Sequence, residues 1–102
     1  MQHVRIAKYR MTSGTPEEVA EIVQAPDGML EKFQGHSGFI GYSLAKQDDG
    51  GLLSISVWES HAVAEEATGL AADWVEHHIA SRLTLEWSSV GGALFNANAL
   101  GN

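Results

Sequence analysis

The chain has 102 residues, 44% of them apolar and 19% charged, the make-up of one globular domain able to bury roughly two thirds of its unfolded surface. Its 13 acids against 6 bases give a formal charge of −7, and the bases are scattered, so neither nucleic acid nor an anionic membrane is an expected partner. With no cysteine, disulfides, thiolate nucleophiles and thiolate metal sites are excluded.

Residues 3–11 alternate, with Val4 and Ile6 on one face and Arg5, Ala7, Tyr9 and Met11 on the other, which predicts a strand. This N-terminal segment lacks the apolar block of a signal peptide, and no run is long enough to span a bilayer, so a soluble cytoplasmic protein is expected. Thr15, Pro16 and Glu18 form a helix-start signal, with Val19, Ile22 and Val23 as the apolar stripe. Ala-Pro-Asp-Gly at 25–28 should interrupt that helix, because proline removes a backbone donor, and helix should resume through Met29, Leu30 and Phe33.

A second strand is predicted at 39–46 and a third at 52–58, joined by the turn Asp48-Asp49-Gly50-Gly51. In the third, Leu53, Ile55 and Val57 share a face and alternate with Ser54 and Ser56. Ser60 caps a second helical region that should break or bend near Gly69 and then carry Trp74, His77 and His78. A fourth strand at 83–90 follows, with Gly91-Gly92 bending or bulging it and 93–95 extending it.

The order β-α-β-β-α-β is the ferredoxin-like split βαβ arrangement, an α+β fold with a four-stranded antiparallel sheet and two helices on one face. We expect one domain over 1–95 and a loose tail at 96–102. Apolar residues left on the far face predict a homodimer built sheet against sheet.

Two local features, Gly38-Phe39-Ile40-Gly41-Tyr42 and Val57-Trp58-Glu59-Ser60, together with the element order from Val4 to Val90, resemble the antibiotic-biosynthesis monooxygenase family. The resemblance implies a dimeric α/β barrel with a pocket between the sheet and the second helical region. It also implies a range of activities, from cofactor-independent oxygenation of aromatic polyketides and quinols to haem degradation. The histidine that quinol-oxygenase members carry in that helix falls here on Ala67. The Asn, Trp and His of the haem-degrading branch fall on Tyr9, Ala67 and His77, so only the histidine is kept.

On a helical wheel Leu70, Ala71, Trp74, Val75 and Ile79 span one face, His78 lies near its centre and His77 lies on its flank toward Asp73. His78 or His77 is therefore the candidate general base, set against plain structural roles as a core and a surface histidine. Trp74, Trp58, Tyr9 and Tyr42 are candidate groups for positioning an aromatic substrate, and His36 sits in a glycine-flanked loop by the expected pocket mouth. The adjacent histidines are not a metal motif, since helical ligands sharing a face lie three or four positions apart. The leading expectation is a homodimer oxygenating a small aromatic ligand without a cofactor. The alternatives are a haem-binding protein with His77 as axial ligand and a non-catalytic binding or structural dimer.

Overall fold

The computed structural model describes residues 1–97. The alternating N-terminal segment forms β1 (His3–Met11), followed by α1 (Pro16–Gln24), α2 (Met29–Gln34), β2 (Phe39–Lys46), β3 (Leu52–Trp58), α3 (His61–His78) and β4 (Leu83–Gly92). The strands pair antiparallel in the order β2-β3-β1-β4, the ferredoxin-like arrangement. Its first helical segment is two short helices rather than one.

The split has a local cause. Thr15 caps α1, its hydroxyl accepting from the Glu18 N–H at 3.2 Å, and Pro16 opens the helix. Proline then ends it at 26, and Asp27 takes a left-handed conformation at φ 63° before Gly28. A Cβ at Gly28 would collide with the backbone carbonyl oxygens of Ile22, Val23 and Ala25, so glycine is required there. Trp74 of α3 braces the break, its indole N–H donating to the Asp27 carbonyl at 3.3 Å.

Two expected irregularities are absent. α3 runs unbroken through Gly69, because Ala64, Ala67, Ala71 and Trp74 bury a continuous stripe that outweighs the roughly 1 kcal/mol that glycine costs a helix. β4 continues through Gly91-Gly92, and its register shift lies instead opposite Lys8 and Tyr9, where Glu86 is the extra residue. Past the strand, the Ala93 N–H donates to the Gln2 carbonyl at 2.9 Å and Asn96 reaches the Gln2 side chain at 3.2 Å. Of the tail expected at 96–102, residues 98–102 lie outside the described residues.

Register assigns the two faces of the sheet. Arg5, Ala7 and Tyr9 of β1, Leu52, Ser54, Ser56 and Trp58 of β3, and Tyr42 and Leu44 of β2 share the helix-covered face. Ser54 and Ser56 are fully buried there, while Leu53, Ile55 and Val57 lie half-buried on the open face with Val4 and Ile6. Hydropathy alternation alone would have turned β3 the other way. The helices complete the core with Val19, Val23, Met29, Phe33 and the α3 alanines.

Candidate active site

The inward face of the sheet carries an unusual share of polar groups for a buried layer. Tyr42 of β2 and Arg5 of β1 both pair with Ser56 of β3, so the three residues form one rung across the sheet. The neighbouring rung is small, with Leu44 and Ala7 flanking Ser54. Ser54 donates to the Tyr42 hydroxyl at 3.5 Å, and the Trp58 indole donates to the Ser56 hydroxyl at 2.8 Å. Arg5 is 2% exposed, and its Nε donates to the Thr68 hydroxyl of α3 at 3.1 Å.

Burial pushes the Tyr42 hydroxyl up to about 12, against the hydrogen bond from Ser54. Tyr9 raises it further and the Arg5 charge pulls it down, which places all three in one electrostatic neighbourhood. Tyr42 is therefore a neutral hydrogen-bond donor at physiological pH. It forms part of a cleft of about 200 Å³ between α1, α2 and β2, whose other walls are Ala20, Val23, Gln24, Leu30 and Leu44. That cleft lies against the first helical pair; beneath α3 the layer is filled by Ala64, Ala67, Ala71 and Trp74.

The structure divides the sequence-derived candidates into two groups. Tyr9, Tyr42 and Trp58 share the inward face, Tyr9 and Trp58 toward opposite ends of the sheet, and Trp58 is wholly buried and edge-packed on Phe33, Phe39 and His36 at 5.0, 5.5 and 5.7 Å. Trp74, His77 and His78 instead gather with Lys32, Leu70 and Asp73 around a shallow notch of about 190 Å³ between α2 and α3. The expected inward placement of His78 is thus corrected: it is exposed, stacked on Trp74 at 4.9 Å and 15°. Its angle on the wheel is that of the buried stripe, but it sits in the last turn, and a wheel carries no information on axial position.

Both histidines are fixed by their own helix. His77 Nδ1 meets the Asp73 carbonyl at 2.7 Å and His78 Nδ1 meets the Trp74 carbonyl at 2.9 Å, so each carries its proton on Nδ1. His36, in its glycine-flanked loop, is half-buried and tied down. Its Nδ1 accepts from the Gly38 N–H at 3.2 Å, and its Nε2–H donates to Glu66 of α3 at 2.9 Å. Ala67, at the position of the quinol-oxygenase histidine, is wholly buried. Among the described residues no group of His, Asp and Glu is arranged to hold a metal ion, and no helix is long and apolar enough to cross a membrane.

Arg5, Ser54 and Ser56 were not singled out from the sequence. The available signal was an arginine sharing a strand face with Ala7, Tyr9 and Met11, one polar intruder on an otherwise apolar row.

No family model and no curated protein matches the chain. Solved structures do. SnoaB, a cofactor-independent oxygenase from Streptomyces nogalater, matches 93% of this chain and 95% of its own at 20% identity, with a TM-score of 0.68. A Chloroflexus aurantiacus protein provisionally described as an antibiotic biosynthesis monooxygenase matches 96% of this chain and 98% of its own at 16% identity and TM-score 0.69. Rv0793 from Mycobacterium tuberculosis matches 96% and 100% at 17% identity and TM-score 0.71. The chain has the ferredoxin-like α+β fold of the antibiotic-biosynthesis monooxygenase type.

Proposed function

We propose that the chain is a homodimeric, cofactor-independent monooxygenase acting on a small hydroxylated aromatic substrate. The observation that carries this is Tyr42, a half-buried tyrosine whose hydroxyl meets Ser54 and whose side chain lines the α1–α2–β2 cleft among apolar walls. In such a reaction the ionised substrate supplies the electrons that reduce dioxygen, one oxygen atom entering the product and the other leaving as water. The protein's part is to exclude water and to hold the anion with preorganised donors. The cleft's aliphatic walls would seat the ring and Tyr42 would donate to its oxygen. His77 and His78 open onto the α2–α3 notch, so the proposal gives the cleft no histidine base. The fold it shares with SnoaB, a cofactor-independent oxygenase, supports the reaction class.

The dimer would form through the open sheet face, where Val4, Ile6, Leu53, Ile55 and Val57 lie half-buried and Trp87 is 50% exposed. Oxygen uptake with naphthohydroquinones and anthrones tests the activity. Tyr42→Phe should lower kcat by roughly ten- to a hundredfold without changing the melting temperature appreciably. Equal turnover in wild type and variant would remove Tyr42 from the site.

The haem alternative has one observation in its favour: His77 keeps its proton on Nδ1 and leaves Nε2 for a ligand. The notch is shallow, and beside the two histidines it offers Lys32, Leu70, Asp73 and Trp74 as its lining. Haemin titration followed at the Soret band, in wild type and His77→Ala, separates the two readings.

A further inference from the structure

Four of the residues that line the α1–α2–β2 cleft, Ala20, Val23, Leu30 and Leu44, are purely apolar. Only Tyr42 and Gln24 bring polar side chains to it. An aromatic ring seated in this space of about 200 Å³ therefore has two protein side chains to which its oxygens can bond. Tyr42 accounts for one of them.

Gln24 is the last residue of α1, next to the turn at 25–28 that separates α1 from α2. Its side-chain Nε2 donates to the Ala20 carbonyl, one helical turn back, at 3.0 Å. A carbonyl accepts only from the nitrogen end of an amide, so this bond fixes which way round the amide sits and leaves Oε1 as the acceptor that the wall offers. Ala20 lines the same cleft, so the anchor and the cleft share one stretch of α1. An anchored side chain gives up less rotamer freedom when a ligand reaches it, which makes Gln24 a preorganised acceptor.

The two polar groups differ in what they take. Tyr42, itself protonated, can donate to a hydroxyl or to the oxyanion that forms from it, whereas Gln24 Oε1 can receive only a hydroxyl that has kept its proton. A ligand with one oxygen satisfies one of the two and sets its apolar edge against the other. A ligand with two oxygens satisfies both. Sites that hydrogen-bond a hydroxyl discriminate against the analogue lacking it, because their own polar group is then left unpaired.

We propose that Gln24 is a specificity-determining residue of the cleft, so that the substrate class is a dihydroxylated aromatic, with one oxygen received by Tyr42 and the second, as a hydroxyl donor, received by Gln24 Oε1. This rests on the assignment of the cleft as the substrate site and extends it. It also orients the reaction: the oxygen at Tyr42 is the one that ionises, and the oxygen at Gln24 keeps its proton.

The test compares 1,4-dihydroxynaphthalene with 1-naphthol, which lacks the second hydroxyl, by NMR chemical-shift titration under argon of wild type, Gln24→Met and Gln24→Glu. The quantity read is the ratio of the two dissociation constants in each protein, so the greater apolarity of 1-naphthol cancels when proteins are compared. Gln24→Met keeps the length of the side chain without its acceptor and should cut the preference for the diol by about fivefold, the worth of about one hydrogen bond. Gln24→Glu retains an acceptor oxygen and should keep most of the preference. Gln24 is exposed at a helix end, so both variants should melt with wild type and a changed ratio is not a folding effect. An unchanged ratio in Gln24→Met, or a loss in Gln24→Glu as large as in Gln24→Met, would overturn the role of Gln24 and leave the cleft standing. Failure of wild type to bind either probe would overturn the cleft assignment, and this inference with it.

Discussion

Tyr42 and Arg5 stand on either side of Ser56, each one strand away, on the same helix-facing rung of the sheet. A neutral phenol and a permanent cation are thus held in one buried layer by strand register alone, without a loop between them. Rigid strands fix such groups more closely than loops do.

The first consequence concerns pH. Burial raises Tyr42 to about 12 in the folded protein, while the unfolded chain ionises near the ordinary tyrosine value of about 10. Below pH 10 both states keep the proton and the stability is complete. Between about 10 and 12 the unfolded state loses its proton first, so stability falls by about 2 to 3 kcal/mol. Urea unfolding at pH 9 and pH 11.5 should show a steeper loss for wild type than for Tyr42→Phe. Parallel losses would mean that Tyr42 is not shielded.

A second prediction follows from the unbroken course of α3. Gly69 lies mid-helix, is exposed, and has open space for 4 Å around the point where a Cβ would sit. Gly69→Ala should therefore stabilise the protein by about 0.5 to 1 kcal/mol through helix propensity alone. A Gly28→Ala variant, whose Cβ would meet three carbonyls, should lose more than about 1 kcal/mol. Thermal melts of the two variants check both signs at once.

Element order was legible because each boundary has local chemistry: Thr15 and Pro16 start α1, Pro26 ends it, and Ser60 starts α3 with its hydroxyl accepting from Val63. The facing of β3 was less so. Its Leu53, Ile55 and Val57 turn to the open face and its serines to the core, and only pairing with β1 reveals this. The histidines misled for a related reason. Periodicity fixes the angle of His78 but not that the helix has by then reached its last turn. The Arg5–Ser56–Tyr42 rung joins residues of three strands that lie far apart in the chain, and no local pattern records such a juxtaposition.

The open face supplies a third prediction. Ile55 pairs with Ile6 and Ser43 near the middle of that face and is half-buried in the single chain. Ile55→Asp should leave the fold intact by circular dichroism and convert a dimer into a monomer in sedimentation equilibrium, because a desolvated, unpaired carboxylate is not tolerated within an apolar interface. A wild type that sediments as a monomer at micromolar concentration would dismiss the sheet-to-sheet dimer outright.

The last prediction separates bracing from chemistry at the α2–α3 notch. Trp74 is 3% exposed and its N–H holds the Asp27 carbonyl, so Trp74→Phe should cost about 1 kcal/mol for the lost hydrogen bond. His78 lies outside that contact, covering the indole from solvent, and His78→Ala should change stability by less than about 0.5 kcal/mol. Neither variant touches the α1–α2–β2 cleft. Turnover of the wild-type substrate should then survive in His77→Ala, in His78→Ala and in the double variant, with kcat within about twofold of wild type after correction for the folded fraction. A drop of tenfold or more in any of them would place the proton-transfer step at the notch, and the cleft would have to be reassigned as an accessory cavity.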